Sequence, residues 1–123
     1  MKTIKARNLD EASEFAEQFR RDGSYDCFRG QADSNWGVQS SFERLSPTER
    51  KEAEQRVVRF ANWMVQSSEV MPYITDDNQI LAIAQHYGLK TPLIDFTREP
   101  KVAAFFATHQ RGRAACGSIF MIK

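Results

Sequence analysis

The sequence has no long apolar run. No stretch approaches the roughly 20 residues that a membrane-spanning helix needs, so we expect no transmembrane segment. Residues 1–7 carry several charged side chains and lack the apolar segment of a signal peptide. These two absences argue against an embedded or exported protein, and we expect a cytoplasmic location.

An excess of charge of either sign is also missing. The chain has 17 Lys and Arg residues against 16 Asp and Glu residues, a formal net charge of +1. Nucleic acids and anionic membranes attract proteins through an excess of basic side chains, so either partner would need a local patch. We expect neither. The length of 123 residues and the apolar share of 41% suit one globular domain, residues 1–123.

Cysteine is scarce, which limits metal and disulfide chemistry. The two cysteines, Cys27 and Cys116, lie far apart and do not have the spacing of metal ligands. In a reducing compartment they are expected to be buried thiols, with a disulfide as the less favoured interpretation. We expect no metal cofactor.

Helical signals are frequent. The segment Ser46-Pro47-Thr48-Glu49 combines a serine cap, a proline at the first helical position and the glutamate of a capping box, which together predict a helix start. Three other segments have apolar residues at helical spacing. The predicted helices begin at Asp10, Ser46, one of Asp76 to Asn78, and Pro100, and the first three end at Gly23, about Ser68 and Gly88.

Short apolar or alternating segments predict strands between the helices. Candidate strands cover residues 2–6, 25–29, 91–96 and 117–122, and a polar loop at 111–113 precedes the last one. The predicted helices and strands do not alternate regularly as in βαβ units, which favours the α+β class. We expect a single compact domain with a small mixed sheet flanked by about four helices.

Four groups of residues occur in the order found in one known family. They are Phe28-Arg29-Gly30-Gln31, Trp36 with residues 41–44, Gln85 to Thr91, and residues 93–107. Together they resemble the FRG domain, named for its phenylalanine-arginine-glycine motif, over residues 25–122. One departure is Pro92, where the family often has an arginine.

A second resemblance is to ADP-ribosyltransferases. Several of these enzymes build an NAD pocket from a strand ending in Arg-Gly, a later strand ending in Ser or Thr, a helix of the form x-x-x-Val-Ala-x-x-Phe and an apolar strand. Phe28-Arg29-Gly30, residues 96–107 and residues 117–122 are similar to these elements. The resemblance implies a split sheet, with NAD as co-substrate. The catalytic glutamate of that superfamily has no counterpart that we identify here.

The resemblance implies roles for three of the five candidate cofactor-binding residues. The Arg29 fork would bind phosphate or ribose oxygens, and Gly30 would let the backbone approach a planar carboxamide. Thr97 would brace the first strand or touch the nicotinamide ribose. The other two are candidates because of their own side chains: Gln31 could hydrogen-bond a ligand, and Tyr87 could stack on a nicotinamide or adenine ring.

Each role has a structural alternative. Arg29 could instead form an ion pair with Asp95, Gln31 could cap a turn, and Tyr87 could be an apolar anchor. His86 and Asp95 are the candidate catalytic pair, because a carboxylate that orients a histidine is a general-base arrangement. The same pair could equally be a hydrogen bond that fastens a turn.

Three functions remain open on the sequence. The first is an NAD-binding domain, transferring ADP-ribose or hydrolysing NAD in a bacterial or phage effector or defence system. The second is a non-catalytic module that recognises a protein or nucleotide, with self-association through the apolar C-terminal strand as one form. The third is a hydrolase using His86 and Asp95. A chain that continues beyond Lys123 would leave room for the glutamate.

Overall fold

The computed structural model describes residues 1–109 and 116–123, which adopt an α+β fold. These residues form four α-helices, one short 3₁₀ helix and one antiparallel pair of strands. In chain order the elements are α1 (Leu9–Arg21), β1 (Cys27–Gln31), α2 (Pro47–Gln66), the 3₁₀ helix Met71–Tyr73, α3 (Asp77–His86), α4 (Pro100–Thr108) and β2 (Ser118–Ile122).

The chain divides into two compact units. The first comprises Met1–Gly37 and Asp95–Lys123, and the second is Val38–Ile94. None of the helices in the described part of the chain combines the length and the apolar character needed to cross a membrane.

The sheet of the first unit is centred on β1. On one side β1 pairs with β2, so that Phe28 lies opposite Met121 and Arg29 lies opposite Phe120. On the other side Thr97 forms an isolated bridge with Phe28, with N–O distances of 2.7 and 2.8 Å. Because side chains alternate along a strand, Phe28 and Gly30 share one face of β1, and Arg29 and Gln31 share the other.

The core of the first unit forms on the Phe28 face. Phe28 is fully buried and packs with Ala16 of α1 and Ala103 of α4, and Ile119 and Met121 of β2 pack against this cluster. Truncating a buried phenylalanine to alanine typically costs about 3–5 kcal/mol. This cluster therefore holds β1, β2, α1 and α4 together as one body.

The second unit is built from α2 and α3. The capping box at the start of α2 is present, because the Ser46 hydroxyl accepts from the Glu49 N–H and the Glu49 carboxylate accepts from the Ser46 N–H. Ala53 and Met64 are the buried residues of α2, and Ile80 and Ala84 are those of α3. The side chain of Asp76 caps α3 by accepting from the Gln79 N–H.

Most helix boundaries agree with the predictions. Ser46, Asp76 and Pro100 begin their helices as expected. Gly23 and Gly88 follow α1 and α3 with positive φ angles of 77° and 89°, in the left-handed region that favours glycine. The α+β class with four helices is confirmed, and the described sheet is an antiparallel pair rather than a mixed sheet.

Two predicted strands are wrong. Residues 2–6 form no strand, because residues 1–10 are all exposed and offer no buried face for pairing. Residues 91–96 also form no strand, and only Thr97 makes a bridge. Here Pro92 lacks an N–H, and the Thr91 hydroxyl accepts from the Leu93 N–H in a local turn.

Two smaller expectations also need correction. The cap of α1 is Asn8 rather than Asp10, since the Asn8 side chain accepts from the Glu11 N–H at 2.9 Å. Both cysteines are free thiols, but Cys27 is half-buried and Cys116 is exposed, so neither is a buried core residue. The predicted loop at 111–113 lies outside the described residues.

Candidate functional site

Arg29 is held at two of its nitrogens within the first unit. Its Nε donates to the Gln31 side-chain oxygen at 3.2 Å, and its Nη1 donates to the Asp95 main-chain carbonyl at 2.9 Å. The Asp95 contact joins the strand that carries Arg29 to the segment that leads to Thr97. A guanidinium keeps its positive charge at any physiological pH, so this face of β1 carries a fixed cation.

Gln31 is buried beside Arg29. The residue is only 3% exposed. Its Nε2 donates to the main-chain carbonyls of Trp36 and Gly37, both at 3.2 Å. Its oxygen accepts from Arg29. The amide therefore connects β1 to the following loop and also contacts the guanidinium.

Gly30 lies directly against the backbone of α4. A Cβ atom built on residue 30 would lie 1.7 Å from the Ala103 carbonyl oxygen and 2.7 Å from the Ala107 nitrogen. A Cβ on Gly117, just before β2, would lie 2.0 Å from the Ala107 carbonyl oxygen. Both glycines are thus required by the close packing of the helix on the sheet. The small residues at 103 and 107 were the sequence signal for this contact.

Thr97 connects β1 to α4. Its backbone pairs with Phe28, and its hydroxyl oxygen accepts from the Glu99 N–H at 3.1 Å, immediately before the helix begins. The first unit therefore brings together Arg29, Gly30, Gln31, Asp95 and Thr97. Their roles toward a ligand stay predictions.

His86 and Tyr87 belong to the second unit. His86 is the last residue of α3, and its ring meets the Tyr87 ring edge to face with centroids 5.3 Å apart. Both side chains are exposed, Tyr87 to 74%. Asp95, the other candidate catalytic residue, is in the first unit, so the proposed catalytic pair is divided between the two units.

The Gln85 to Thr91 segment is organised by its own side chains. Thr91 is fully buried, and its hydroxyl donates to the Gln85 side-chain oxygen. Gly88, which lies between these two residues in sequence, has a positive φ. The Leu89 N–H returns to the Ala84 carbonyl at 3.0 Å. These contacts fix the turn that follows α3, and Gln85, Gly88 and Thr91 therefore have a structural role.

Three carboxyl groups have pKa values below the ordinary range. Side-chain and then backbone hydrogen bonds from Arg7 lower the pKa of Glu11, and hydrogen bonds from Ser24 lower that of Asp22. The Ser46 backbone N–H and then its side chain lower the pKa of Glu49. All three lie near helix ends, where Asp22 and Glu49 are exposed and Glu11 is half-buried.

In residues 1–109 and 116–123, no three His, Cys, Asp or Glu side chains are grouped to hold a metal ion.

The outer side of α4 is apolar and exposed. Ala103, Ala104 and Ala107 are buried, whereas Phe105 and Phe106 are 54% and 53% exposed. Phe105 also stacks on His109 with ring centroids 4.7 Å apart. Helical spacing on the sequence did not separate these two faces, because the helix is apolar all round.

Comparison with known proteins identifies one family. The family model described as the FRG domain matches residues 24–115, which include the Arg29 segment, the His86 segment and Thr97. A search of curated proteins and a search of solved structures each found no match. The matched residues make up more than half of the chain, and it therefore belongs to the FRG domain family.

Proposed function

We propose that the first unit binds NAD or a related nucleotide, with Arg29 as the group that contacts its phosphate or ribose oxygens. The observation that carries this proposal is the hydrogen-bonded pairing of Phe28 with Thr97. It joins two of the three segments that resemble the NAD pocket of ADP-ribosyltransferases. The third, β2, pairs with the other edge of β1, and α4 packs on the same strand.

The state of Arg29 suits anion binding. The Gln31 and Asp95 oxygens already hold two of its nitrogens, so less rotamer freedom is lost when an anion binds. A planar guanidinium can also match two oxygens of a phosphate group. The proposed setting is cytoplasmic, as part of a bacterial or phage effector or defence system, as the resemblance implies.

The proposal covers binding, and the chemistry needs its own measurement. His86 and Asp95 remain the candidate catalytic residues, and Tyr87 the candidate stacking residue. Release of nicotinamide from NAD by the purified protein, followed by chromatography, would establish glycosidic cleavage. Loss of that release in His86→Gln, or in Asp95→Asn, would assign a role in the step to the residue that was substituted.

Calorimetric titration with NAD tests the binding proposal. Arg29→Met should weaken binding by roughly tenfold to a hundredfold, since a hydrogen bond to a charged group contributes about 1.5–3 kcal/mol. Arg59→Met is a matched control, because Arg59 is an exposed arginine of α2 in the second unit. Its affinity should equal that of the wild type. No heat at millimolar NAD, or equal affinities for all three proteins, would refute the proposal.

The exposed side of α4 favours a second candidate function, a non-catalytic module that recognises a protein. Val102, Phe105 and Phe106 leave an apolar surface that association would cover. The β2 strand adds Ile122, also exposed, at the end of the sheet. Self-association is the form that can be measured directly, by sedimentation of the wild type, Phe106→Ser and Phe120→Asp. A concentration-dependent dimer that both variants abolish and Arg29→Met retains would support this candidate over nucleotide binding.

A further inference from the structure

Gln31 is too deeply buried to meet a ligand in the conformation observed. It is 3% exposed, and its side chain already makes three hydrogen bonds. A primary amide offers two N–H donors and one oxygen. The Gln31 amide nitrogen donates to the carbonyls of Trp36 and Gly37, and the Gln31 amide oxygen accepts from Arg29. A ligand that contacted this side chain would have to break these bonds.

The same bonds determine how the Arg29 guanidinium is oriented. Gln31 contacts Nε and the Asp95 carbonyl contacts Nη1, so two different nitrogens of one plane are held. Each of these contacts restricts rotation of the guanidinium plane. The Gln31 oxygen is itself fixed, because the other end of the amide is attached to the 36–37 loop.

We propose that Gln31 is a positioning residue that acts on the ligand only through Arg29. This inference rests on the proposed function, in which Arg29 binds a phosphate or ribose oxygen of NAD. It changes the role of Gln31 from direct ligand contact to control of the guanidinium. It also explains the spacing, since residues two apart on a strand share a face.

The first experiment needs no ligand. The Arg29 Nε–H signal in a nitrogen–proton NMR spectrum is assigned by its loss in Arg29→Lys, and its exchange with solvent is then measured. We expect slow exchange in the wild type and at least tenfold faster exchange in Gln31→Leu. Gln31→Met, which keeps the length of the side chain but lacks the amide oxygen, should also speed exchange. Gln18→Leu, on the exposed face of α1, is the matched control and should leave the signal unchanged.

Two results of this experiment would overturn the inference. One is an Arg29 Nε–H that exchanges in the wild type as fast as a free guanidinium. The other is an exchange rate in Gln31→Leu equal to that of the wild type. The wild-type measurement decides the matter alone if both Gln31 variants fail to fold, because it requires no substitution of Gln31.

The second experiment is a double-mutant cycle read out by NAD affinity. Gln31→Leu should weaken NAD binding about tenfold when Arg29 is present, which corresponds to about 1.4 kcal/mol. The same substitution should have no further effect in the Arg29→Lys background. An equal loss in both backgrounds would overturn the inference, because Gln31 would then act independently of Arg29. If wild-type protein does not bind NAD, the proposed function fails, and the exchange experiment still decides the positioning of Arg29.

Discussion

Replacing Gly30 with alanine should destabilise the first unit strongly. The added Cβ would lie 1.7 Å from the Ala103 carbonyl oxygen, whereas carbon and oxygen atoms in close contact are usually about 3.3 Å apart. The helix α4 would have to move away from β1 by roughly 1.6 Å. A gap of about 0.5–1 Å already loses a quarter to a half of the contact energy between packed atoms.

The expected cost is at or above the upper end for overpacked sites, about 3 kcal/mol. The nearest atoms are backbone atoms of a helix, so no side chain can rotate away to relieve the clash. With a urea slope of about 2 kcal/mol per molar, 3 kcal/mol lowers the unfolding midpoint by about 1.5 M. The whole free energy of unfolding of a small domain is only about 5–15 kcal/mol, so this loss is large.

Urea unfolding followed by circular dichroism measures this effect, and Gly37→Ala is the control. Gly37 belongs to the same unit, but a Cβ built there meets no atom within 4 Å. Its free energy of unfolding should stay within about 0.5 kcal/mol of the wild type, which is a midpoint shift of at most about 0.25 M. If Gly30→Ala and Gly37→Ala had the same midpoint, the packing explanation of Gly30 would be refuted. A stable Gly30→Ala protein that had lost NAD binding would instead assign Gly30 to ligand contact.

Three further predictions concern helix ends in the two units. Ser46→Ala should lower the free energy of unfolding by about 1 kcal/mol in urea titrations, because it removes the side-chain half of the capping box. The pKa of Glu49 is lowered in the folded state, so its charge stabilises the protein above the ordinary value of 4.5 and that stability is lost as the pH falls through the folded pKa. The difference in melting temperature between wild type and Glu49→Gln should therefore shrink as the pH falls below 4.5 and through the folded pKa. Gly23→Ala should cost about 1–2 kcal/mol by the same urea assay, since its φ of 77° is strained for a side chain, and an unchanged midpoint would contradict this.

Local signals explain why the helix ends could be predicted from the sequence. The Ser46 capping box, the Asp76 cap and the Gly23 and Gly88 terminators each depend on residues within a few positions of one another. The Thr91 segment was predicted incorrectly for a related reason. Its apolar residues have strand character, but the outcome was decided by one proline and one buried threonine hydroxyl, which favour a turn.

The candidate site depended on contacts between residues distant in sequence. The bridge between Phe28 and Thr97 pairs two segments that are far apart in the chain, and its register has no local signal in the sequence. Two contacts of Arg29 could not be predicted in detail. One is a main-chain carbonyl, which has no sequence signature, and the other is Gln31, whose burial depends on the loop that it holds.

The pleat of β1 separates the two roles that the Phe28-Arg29-Gly30-Gln31 motif combines. Phe28 and Gly30 face α4, where one fills the core and the other admits the helix backbone. Arg29 and Gln31 face the opposite side, where a fixed cation is held by a buried amide. Substitutions on the first face should therefore change stability in proportion to the packing lost. Arg29→Met should change nucleotide affinity with a much smaller change in the urea midpoint, and equal effects on both properties would show that the two faces do not act separately.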